Sequence, residues 1–510
     1  MEYLQGELRE QTVLFETCID DMVPEDNTVR LIDQFVNALN LDQMGFKVLA
    51  PKGRPPYNPA DLLKLYIYGY MNRMRSSRVL EKECHRNLEV IWLLKTLKPD
   101  HNTISRFRKD NPKAIKRVFR HSVALAKNFN LIGGVLIAGD STKLRAQNSK
   151  KNNYNKKKIK RHLEYIEKKL EQHNTELAQA DGDKANEIQQ QIDKHKRHQQ
   201  KYKAIQKDLE NDTSSENPQI STSDPDSKHQ IVRGMITEVC YTAQTTVDEK
   251  HKLLTDYKVT NENDKKAMGN MLQRAKSILR PKEPITALYD KGFHTGSEFC
   301  TAEQLGINTL VAIPAIGRSS QAPNPDYNVE HFTYNKENDS YTCPEKHTLT
   351  SNGSWYKTRN YKFKQYKTKA CKTCSMREQC TTAKTNGKIV QRSQYAEYIE
   401  NNAKRIQASG ELYKKRQALV EHPFGTIKRQ WGFDHIMTKK GIKRASADFG
   451  LIALAYNLKR MINLIGVKEL TKELKSVLLI ILHHVLSLLG LSSLIISDRK
   501  GLVFFFKKIV

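Results

Sequence analysis

Apolar residues recur at helical spacing through the first 125 residues of the chain. The stretch NPADLLKLYIYGYMNRM, residues 58–74, opens with the cap-like Asn58 and predicts a helix. A second helix is predicted through VLEKECHRNLEVIWLL, and the break PDHN at 99–102 separates it from a short basic helix that begins with TISRFRKDN. We therefore expect an all-helical N-terminal domain over residues 1–125.

The last three of these elements have the layout of a helix-turn-helix, because a helix and a tight turn precede a basic helix. Arg106, Arg108 and Lys109 sit together on the last element and are the candidate DNA contacts. The alternative is an all-helical packing domain that does not touch DNA.

The pattern changes to short apolar and alternating runs after residue 130. GGVLIAGDS is a continuous apolar run that ends in Asp140, as a buried strand would. The further elements expected in chain order are two alternating hairpin strands in MITEVCYTAQTTVD and KLLTDYKVT, a helix over 264–279, a strand in PITALYDKG ending at Asp290, a helix over 296–305 and a strand in NTLVAIPA. This is the order of an RNase-H-like α/β fold.

We assign this core to residues 130–315 and 396–465, where helices over 411–430 and 445–465 close it. Two insertions interrupt it. Residues 145–225 are rich in Lys and Arg, and Ile159, Leu163, Ile166 and Leu170 follow a heptad spacing, which predicts a basic helical hairpin. Residues 321–389 are polar, Lys-rich and contain cysteines. The expected fold class is therefore α+β and multidomain.

The hairpin and the tail each leave two interpretations open. The Lys-rich hairpin suits contacts with a phosphate backbone, or it pairs two subunits through its heptad seam. Residues 466–510 form a hydrophobic tail in which 477–496 is long enough to cross a bilayer. His483, His484 and Gly490 interrupt that run, which disfavours a membrane span; a helix buried on another subunit and an unstructured extension are the alternatives.

The charge of the chain points to a polyanionic partner. Its 510 residues carry 85 Lys and Arg against 56 Asp and Glu, a net charge of +29. Such an excess repels itself in the compact state unless nucleic acid, or secondarily an anionic membrane surface, neutralises it. The N-terminus lacks the pattern of a secretory signal, and eight Cys in a chain of this length are not a disulfide framework. We expect a cytoplasmic, nucleoid-associated protein.

Three acids stand where a metal-dependent site on this fold needs them. Asp140 and Asp290 end predicted strands, and Glu421 lies in the helix after the fifth strand. Converging carboxylates suit Mg²⁺ or Mn²⁺, and two such ions activate the attacking oxygen and stabilise the leaving oxygen of a phosphoryl transfer. Each acid alone is more often a turn residue or a cap, and only the order of all three favours a site.

Four further residues near these motifs are candidates for the site, but structural roles are predicted for them. Asp224 and Asp226 in SDPDSK are rival acids, for which a turn role is expected. His294 and His422 could touch the site, but surface or packing roles are expected for both.

The sequences around the three acids resemble those of the DDE transposases of bacterial insertion sequences. Asp140 lies in IAGDSTKLRAQNSK, similar to the first-aspartate motif, and Asp290 lies in ALYDKGFHTG, similar to the D-K-G-[YF] motif. Glu421 lies in YKKRQALVEHPFGTIKRQWGF, similar to the Y…R…E…K signature. The signature carries over to Tyr413, Arg416 and Lys428, although the spacing from Arg416 to Glu421 is one residue longer than in some branches. Since Glu421 and Lys428 are about two helical turns apart, we expect both to point the same way.

The resemblance covers roughly residues 25–465 with four motifs in order, and GRPPYNPADLLKLYIYGY and AYNLKRMINLIG resemble the helical domain and the closing helix of the family. It implies an enzyme that binds the terminal inverted repeats of a mobile element, cuts the ends with Mg²⁺ or Mn²⁺ and joins them to target double-stranded DNA. Paired ends imply a homodimer or a larger assembly. The alternatives are an inactive, DNA-binding descendant and a nuclease on the same fold.

The cysteine spacing predicts a structural zinc site. CxxC at 371–374 pairs soft thiolates, and two more cysteines complete a tetrahedral set: Cys343, Cys371, Cys374 and Cys380. His347 could replace one thiolate, and four free thiols in a Lys-rich loop are the alternative. The scattered cysteines are expected to be buried apolar residues: Cys18, Cys84, Cys240 and Cys300.

Overall fold

The computed structural model describes residues 18–46, 55–212, 218–317, 320–438, 440–475, 492–498 and 501–507. Most of the apolar run 477–496 lies outside the described residues. The part that is described belongs to a two-stranded antiparallel hairpin near the end of the chain. Within the described ranges, no helix is long and apolar enough to cross a membrane.

Helices form the N-terminal region, as the spacing predicts. Asn58 caps the helix over Pro59–Met71 by accepting a hydrogen bond from the Ala60 amide, and a proline occupies the first helical position. The second predicted helix is divided at Asn87, because the Asn87 side chain caps a new helix by accepting from Val90. The helices are α1 Thr28–Asn37, α2 Leu41–Met44, α3 Pro59–Met71, α4 Ser77–Arg86, α5 Leu88–Leu93, α6 His101–Asp110 and α7 Pro112–Asn128.

A helical hairpin follows the first strand of the central sheet. The first strands and the hairpin helices are β1 Leu136–Arg145, β2 Asn153–Asn155, α8 Lys156–Leu177, α9 Gly182–Asn211 and β3 Gln219–Ser221. β2 and β3 pair at its base, and the two helices pack along each other. Ile159 and Ile166 of the heptad are buried in this packing together with Ile188 and Ile192. The seam is therefore used within one chain, which removes the observation that favoured pairing of two subunits through it.

The central sheet contains the predicted succession of strands and helices. Its remaining elements are β4 Lys228–Arg233, β5 Ile236–Asp248, β6 Leu254–Thr260, α10 Met268–Leu279, β7 Thr286–Tyr289, α11 Gly296–Gln304 and β8 Asn308–Val311. The order is β4-β5-β1-β7-β8, with β6 also on β5; β1, β7 and β8 are parallel, and β5 is antiparallel to β1 and β6. The strand β4 was not expected from the sequence.

Residues 333–393 form a second, smaller sheet with its own apolar cluster around Tyr341, Leu349 and Tyr366. Its elements are β9 Thr333–Asn335, β10 Ser340–Thr342, β11 Thr348–Ser351, β12 Tyr356–Lys357, β13 Lys362–Lys367, α12 Arg377–Cys380 and β14 Val390–Ser393. The chain then returns to the central sheet through α13 Ala396–Ala408, α14 Gly410–Phe424 and α15 Ile442–Ile465, and ends in β15 Ser492–Asp498 and β16 Gly501–Lys507.

The predicted helix over 411–430 changes its winding after Phe424. Gly425–Gln430 is π-helical, and the Trp431 amide donates to the Thr426 carbonyl at 3.0 Å, a bond across five residues. Pro423, which lacks an amide hydrogen, lies just before this change inside α14. Residues on either side of Gly425 therefore do not keep the phase of one regular α-helix.

Helix α15 joins the N-terminal helices to the sheet. It packs against α3, α6, α7 and β6, and one continuous apolar core runs from Val23 to Leu474. The helices that precede residue 125 thus share their core with the sheet, although the sequence suggests a separate domain.

A buried charge cluster at this junction corrects the role expected for Arg108. The Arg108 side chain is only 6% exposed; it lies 3.4 Å from Asp448 of α15 and donates to the Tyr70 hydroxyl at 2.8 Å. Arg75 lies 3.6 Å from the same carboxylate. Arg108 is therefore a core residue rather than a DNA contact, whereas Arg106 and Lys109 are exposed on α6.

Candidate functional site

The central sheet brings Asp140 and Asp290 side by side. β1 and β7 run parallel with Leu136 opposite Thr286 and Ala138 opposite Leu288. The same offset places Asp140 level with Asp290, which directly follows β7 and caps a 3₁₀ turn over Lys291–Phe293. Asp140 is not at the end of its strand, as the sequence suggested, because β1 continues to Arg145 in antiparallel pairing with β5.

Arg416 joins the two aspartates. One of its Nη atoms lies 3.3 Å from the Asp140 carboxylate and 3.6 Å from that of Asp290. Tyr413, one turn earlier on α14, fixes the helix against the sheet by donating to the Tyr289 carbonyl at 3.2 Å. The two carboxylates are thus within reach of one cationic group.

Burial governs the titration of Asp140. It raises the pKa of that carboxyl to about 6, against the lowering effect of Arg416 and of a hydrogen bond from the Ser141 amide. The negative charges of Asp290 and Asp264 raise the pKa further. A cation placed between the two carboxylates would favour the ionised form.

Glu421 is not gathered with the two aspartates. It is exposed on α14, and its carboxylate accepts a hydrogen bond from Gln417 at 2.8 Å. Glu421 is five positions after Arg416 on the helix, so the two side chains are about 140° apart around the helix axis. In the part of the chain that the structure describes, no group of three or more His, Cys, Asp or Glu side chains is arranged to hold a metal ion.

Lys428 lies against β1 at Thr142 and Lys143, two and three residues beyond Asp140. Its Nζ donates to the Thr142 hydroxyl at 3.1 Å and to the Lys143 carbonyl at 3.2 Å, and burial lowers the pKa of this amine. Lys428 bonds to β1, whereas Glu421 is exposed and bonds to Gln417, so the two side chains have no common partner. The π-helical winding that begins at Gly425 between them changes the phase on which the expectation of a shared face depends.

Asp264 is a neighbour of this site that the sequence analysis did not identify. It opens a 3₁₀ turn over Asp264–Lys266 after β6, and its Oδ2 lies 3.9 Å from the Lys143 amine. Its Oδ1 is buried and has no hydrogen-bond partner among the described residues. No motif surrounds Asp264, and only the fold brings it close to Asp140.

The rival acids have structural roles, as expected. Asp224 accepts from the Gly441 amide at 2.9 Å and from the Tyr241 hydroxyl, and Asp226 accepts from the Ile442 amide at 2.8 Å. Both carboxylates therefore satisfy amides at the N-terminus of α15.

The two histidines near the motifs also take part in packing. His422 shares a hydrogen bond with the Tyr456 hydroxyl at 2.8 Å, and the His294 ring packs edge-on against Phe299.

The predicted zinc ligands surround one space. Cys343, Cys371, Cys374 and Cys380 line a single cavity of about 20 Å³, together with His347. Burial raises the pKa of the Cys380 thiol, and the other three thiols add to this effect. A side chain at Gly387 would meet Cys371, since an added Cβ would lie 2.2 Å from the Cβ of Cys371.

The scattered cysteines agree with expectation only in part. Cys84 and Cys240 are buried, Cys300 is half-buried and Cys18 is exposed. Cys18 is therefore not the buried apolar residue that was expected.

Two family models match the chain in separate segments. A transposase domain model matches residues 17–110, which include Arg106, Arg108 and Lys109. A transposase DDE domain model matches residues 342–462, which include Arg416 and Glu421. No curated protein and no solved structure matches the chain. The two matches confirm the resemblance to the DDE transposases of insertion sequences.

Proposed function

We propose that this chain, a DDE transposase of the insertion-sequence type, binds the terminal inverted repeats of its element, cuts them and joins them to target DNA. The observation that carries the proposal is that Asp140 of β1 and Asp290, which directly follows the adjacent parallel strand β7, lie 3.3 Å and 3.6 Å from the Arg416 guanidinium. The strand order of the sheet supports an RNase-H-like catalytic core.

The donor set fits a hard divalent cation such as Mg²⁺ or Mn²⁺, because oxygen ligands from two ionised carboxylates converge on one position. When bound, such a cation activates an attacking oxygen and stabilises the leaving oxygen of a phosphodiester. Asp140 and Asp290 would hold it. Glu421 is the third ligand in this proposal, and its participation requires its side chain, or α14, to turn from the present position.

The basic residues around the carboxylates would orient the DNA strand. The Lys428 amine is held on β1 at Thr142 and would neutralise a phosphate there. Arg416 has a planar guanidinium suited to two phosphate oxygens, and it would exchange its aspartate partners for the phosphate when DNA arrives. Water is the first nucleophile in this proposal, and the freed 3′-hydroxyl is the second.

DNA recognition is assigned to the N-terminal helices. Arg106 and Lys109 are exposed on α6, which follows α4 and α5 in the layout of a helix-turn-helix. The basic helical hairpin would contact the phosphate backbone without sequence preference. Two copies of the chain, one for each end of the element, form the active assembly in this proposal.

The test is metal-dependent cleavage of a duplex that carries the repeat end. Asp140→Asn and Asp290→Asn should each remove cleavage and leave binding of the duplex intact, and Glu421→Gln should do the same. Glu411→Gln, an acid-to-amide change at an exposed position of the same helix, is the control and should cleave normally. Near wild-type cleavage by either aspartate variant would refute the site.

The position of Glu421 favours one second candidate, an inactive DNA-binding descendant. Because Glu421 is apart from the aspartates, the three acids do not form a joint site in the present arrangement. The same assay decides between the two functions, since an inactive descendant binds the repeat end and cuts it under no metal condition.

We also propose that the four cysteines bind a structural Zn²⁺. Four soft donors line one cavity with room for about one ion. The described side chains are not gathered at ligand distance, so binding would draw the four thiols together, and four protein ligands would then leave no open position for catalysis. Reduced protein should carry about one Zn²⁺ per chain, and Cys374→Ser should lower that content. Cys18→Ser, at the exposed cysteine, is the matched control, and metal analysis without zinc in wild-type protein would remove the proposal.

A further inference from the structure

Two exposed tyrosines share one face of a hairpin on the small sheet, since Tyr356 and Tyr361 both pack on Phe363, whereas the exposed Trp355 lies with Lys364 on the opposite face. Trp355 is 50% exposed, Tyr356 39% and Tyr361 40%, and all three belong to the hairpin formed by β12 and β13. We call residues 355–364 the aromatic hairpin. Exposed aromatic rings of this size are costly in water, so a cluster of them marks a binding surface.

The rings are arranged in a fixed order. Tyr356 stacks on Phe363 with centroids 5.7 Å apart and planes inclined by 29°, and Tyr361 meets the same ring edge-on at 6.3 Å. The turn between the strands is held by Thr358, whose amide and hydroxyl both donate to the Tyr361 carbonyl. The exposed faces are therefore presented without the entropic cost of ordering a loose loop.

The segment that carries these rings is basic, although the pocket beside Trp355 also holds the carboxylates of Asp339, Glu397 and Glu400. Residues 346–377 contain no Asp or Glu. The same stretch contains nine basic residues, which are Lys346, Lys357, Arg359, Lys362, Lys364, Lys367, Lys369, Lys372 and Arg377. The core of a protein–protein interface is depleted in charged residues, whereas a surface that combines aromatic rings with many cations fits single-stranded nucleic acid.

The aromatic hairpin is continuous with the candidate active site. Asn360 at its tip accepts a hydrogen bond from Lys266 at 3.4 Å. Lys266 belongs to the same 3₁₀ turn as Asp264, which acts electrostatically on Asp140. That turn packs against the 3₁₀ turn capped by Asp290.

We propose that the aromatic hairpin binds unpaired nucleotides of the DNA strand that passes between Asp140 and Asp290. Bases stack on the exposed rings of Tyr356 and Tyr361, and Lys357 and Lys362 at the edge of the same hairpin neutralise the adjoining phosphates. The inference rests on the proposed function, since it takes the strand at the aspartates to be DNA. It adds a surface that binds an unpaired strand in preference to a duplex.

The test compares the binding of a short single strand with that of a blunt duplex, both fluorescently labelled, to the full-length protein in EDTA. Tyr356→Ala/Tyr361→Ala should weaken binding of the single strand about tenfold and change binding of the duplex little. Tyr356→Phe/Tyr361→Phe keeps both rings and should bind like the wild type. Met235→Ala removes a large apolar side chain that is 98% exposed in the turn between β4 and β5, and it is the control for nonspecific loss of an exposed side chain.

A second measurement uses Trp355 itself. The chain has three tryptophans, and Trp355 is the one in the aromatic hairpin. Because its ring lies on the face opposite Tyr356 and Tyr361, Trp355→Ala should leave single-strand binding unchanged, which tests whether that binding depends on the tyrosine face.

Equal weakening of single-strand and duplex binding by the alanine variant would overturn the inference, as would equal effects of alanine and phenylalanine. Unchanged DNA binding together with lost self-association would assign the surface to a protein partner and would also overturn it. Failure here leaves the aspartate variants as the separate test of the proposed function, because the binding assays contain no metal and require no cleavage.

Discussion

Two charge clusters in this protein are built from the same residue types in opposite proportions. At the junction with the N-terminal helices, one carboxylate, Asp448, lies between Arg75 and Arg108, and the three side chains are 0%, 5% and 6% exposed. At the candidate site one guanidinium, Arg416, lies between Asp140 and Asp290, which are 21% and 42% exposed.

The difference between the clusters lies in which charge is in excess and in how far their carboxylates are exposed. Asp448 also accepts from the Met437 amide and from the Tyr70 hydroxyl, so its oxygens are saturated inside the core. The candidate site has an excess of partly exposed carboxylates. A buried guanidinium Nε without a hydrogen-bond partner among the described residues occurs in both clusters, on Arg108 and on Arg416, and does not distinguish them. The first arrangement is a closed structural cluster, and the second is open to a further cation and a phosphate.

Removing the carboxylate of the closed cluster should have the largest effect on stability. Asp448→Asn leaves Arg75 and Arg108 buried without a counter-charge, which should lower the free energy of unfolding by about 3–5 kcal/mol. Denaturant unfolding of the variant measures this loss. Asp110→Asn, at a half-exposed aspartate of α6, is the control and should change the stability by less than about 0.5 kcal/mol. A loss no larger than that of the control would contradict the difference between the clusters.

At the candidate site, removing a carboxylate should raise the stability of the protein, by an amount that depends on pH. Because burial raises the folded-state pKa of Asp140 from 3.8 to about 6, the folded protein binds the proton more tightly than the unfolded chain. Its contribution to stability is fully present below about pH 4 and is lost as pH rises through about 6. At neutral pH without metal, Asp140→Asn should therefore be more stable than the wild type, by up to about 3 kcal/mol.

Thermal unfolding of both proteins in EDTA across this window tests the sign. The gap between the variant and the wild type should widen from about pH 4 to pH 6 and then stay constant, while groups common to both proteins cancel. A variant that is less stable than the wild type at neutral pH would show that Arg416 outweighs burial at this position.

The smallest expected effect concerns Arg416 as a competitor of the metal. Its positive charge lies where a cation would approach both carboxylates, so Arg416→Gln should tighten binding of Mn²⁺ to DNA-free protein, roughly tenfold after allowance for solvent screening. Titration followed by the signal of free Mn²⁺ measures this change. Lys415→Gln, at the exposed neighbour on the same helix, should leave the affinity unchanged. Weaker Mn²⁺ binding in Arg416→Gln would mean that the guanidinium holds the ligands in place.

The sequence predicted most elements of the fold, because their signals are local. Alternating residues gave β5 and β6, and helical spacing with a capping Asn gave α3. Asp290 was predicted correctly at the end of its strand, since an apolar run stops there. The residues that begin or end a helix or strand lie next to it in the sequence, so these boundaries can be predicted without knowledge of the fold.

The misassigned residues depend on partners far along the chain. In the sequence, Arg108 lies among basic residues, which predicts a surface position. The counter-charge that allows its burial, Asp448, is 340 residues later in the chain. Glu421 and Lys428 have the spacing of a shared face, but the π-helical segment between them is not visible in residue periodicity. Asp264 has no motif at all and reaches Asp140 only through the folding of the sheet.

The central claim is that Asp140 and Asp290 together hold a catalytic cation when DNA is bound. The most direct test is Mn²⁺ binding by the complex of the protein with an uncleaved repeat-end duplex, measured for the wild type, Asp140→Asn, Asp290→Asn and the control Glu411→Gln. We expect the wild type and the control to bind Mn²⁺ alike, and each aspartate variant to lose that binding while still holding the DNA. Wild-type Mn²⁺ affinity in both aspartate variants would contradict the account.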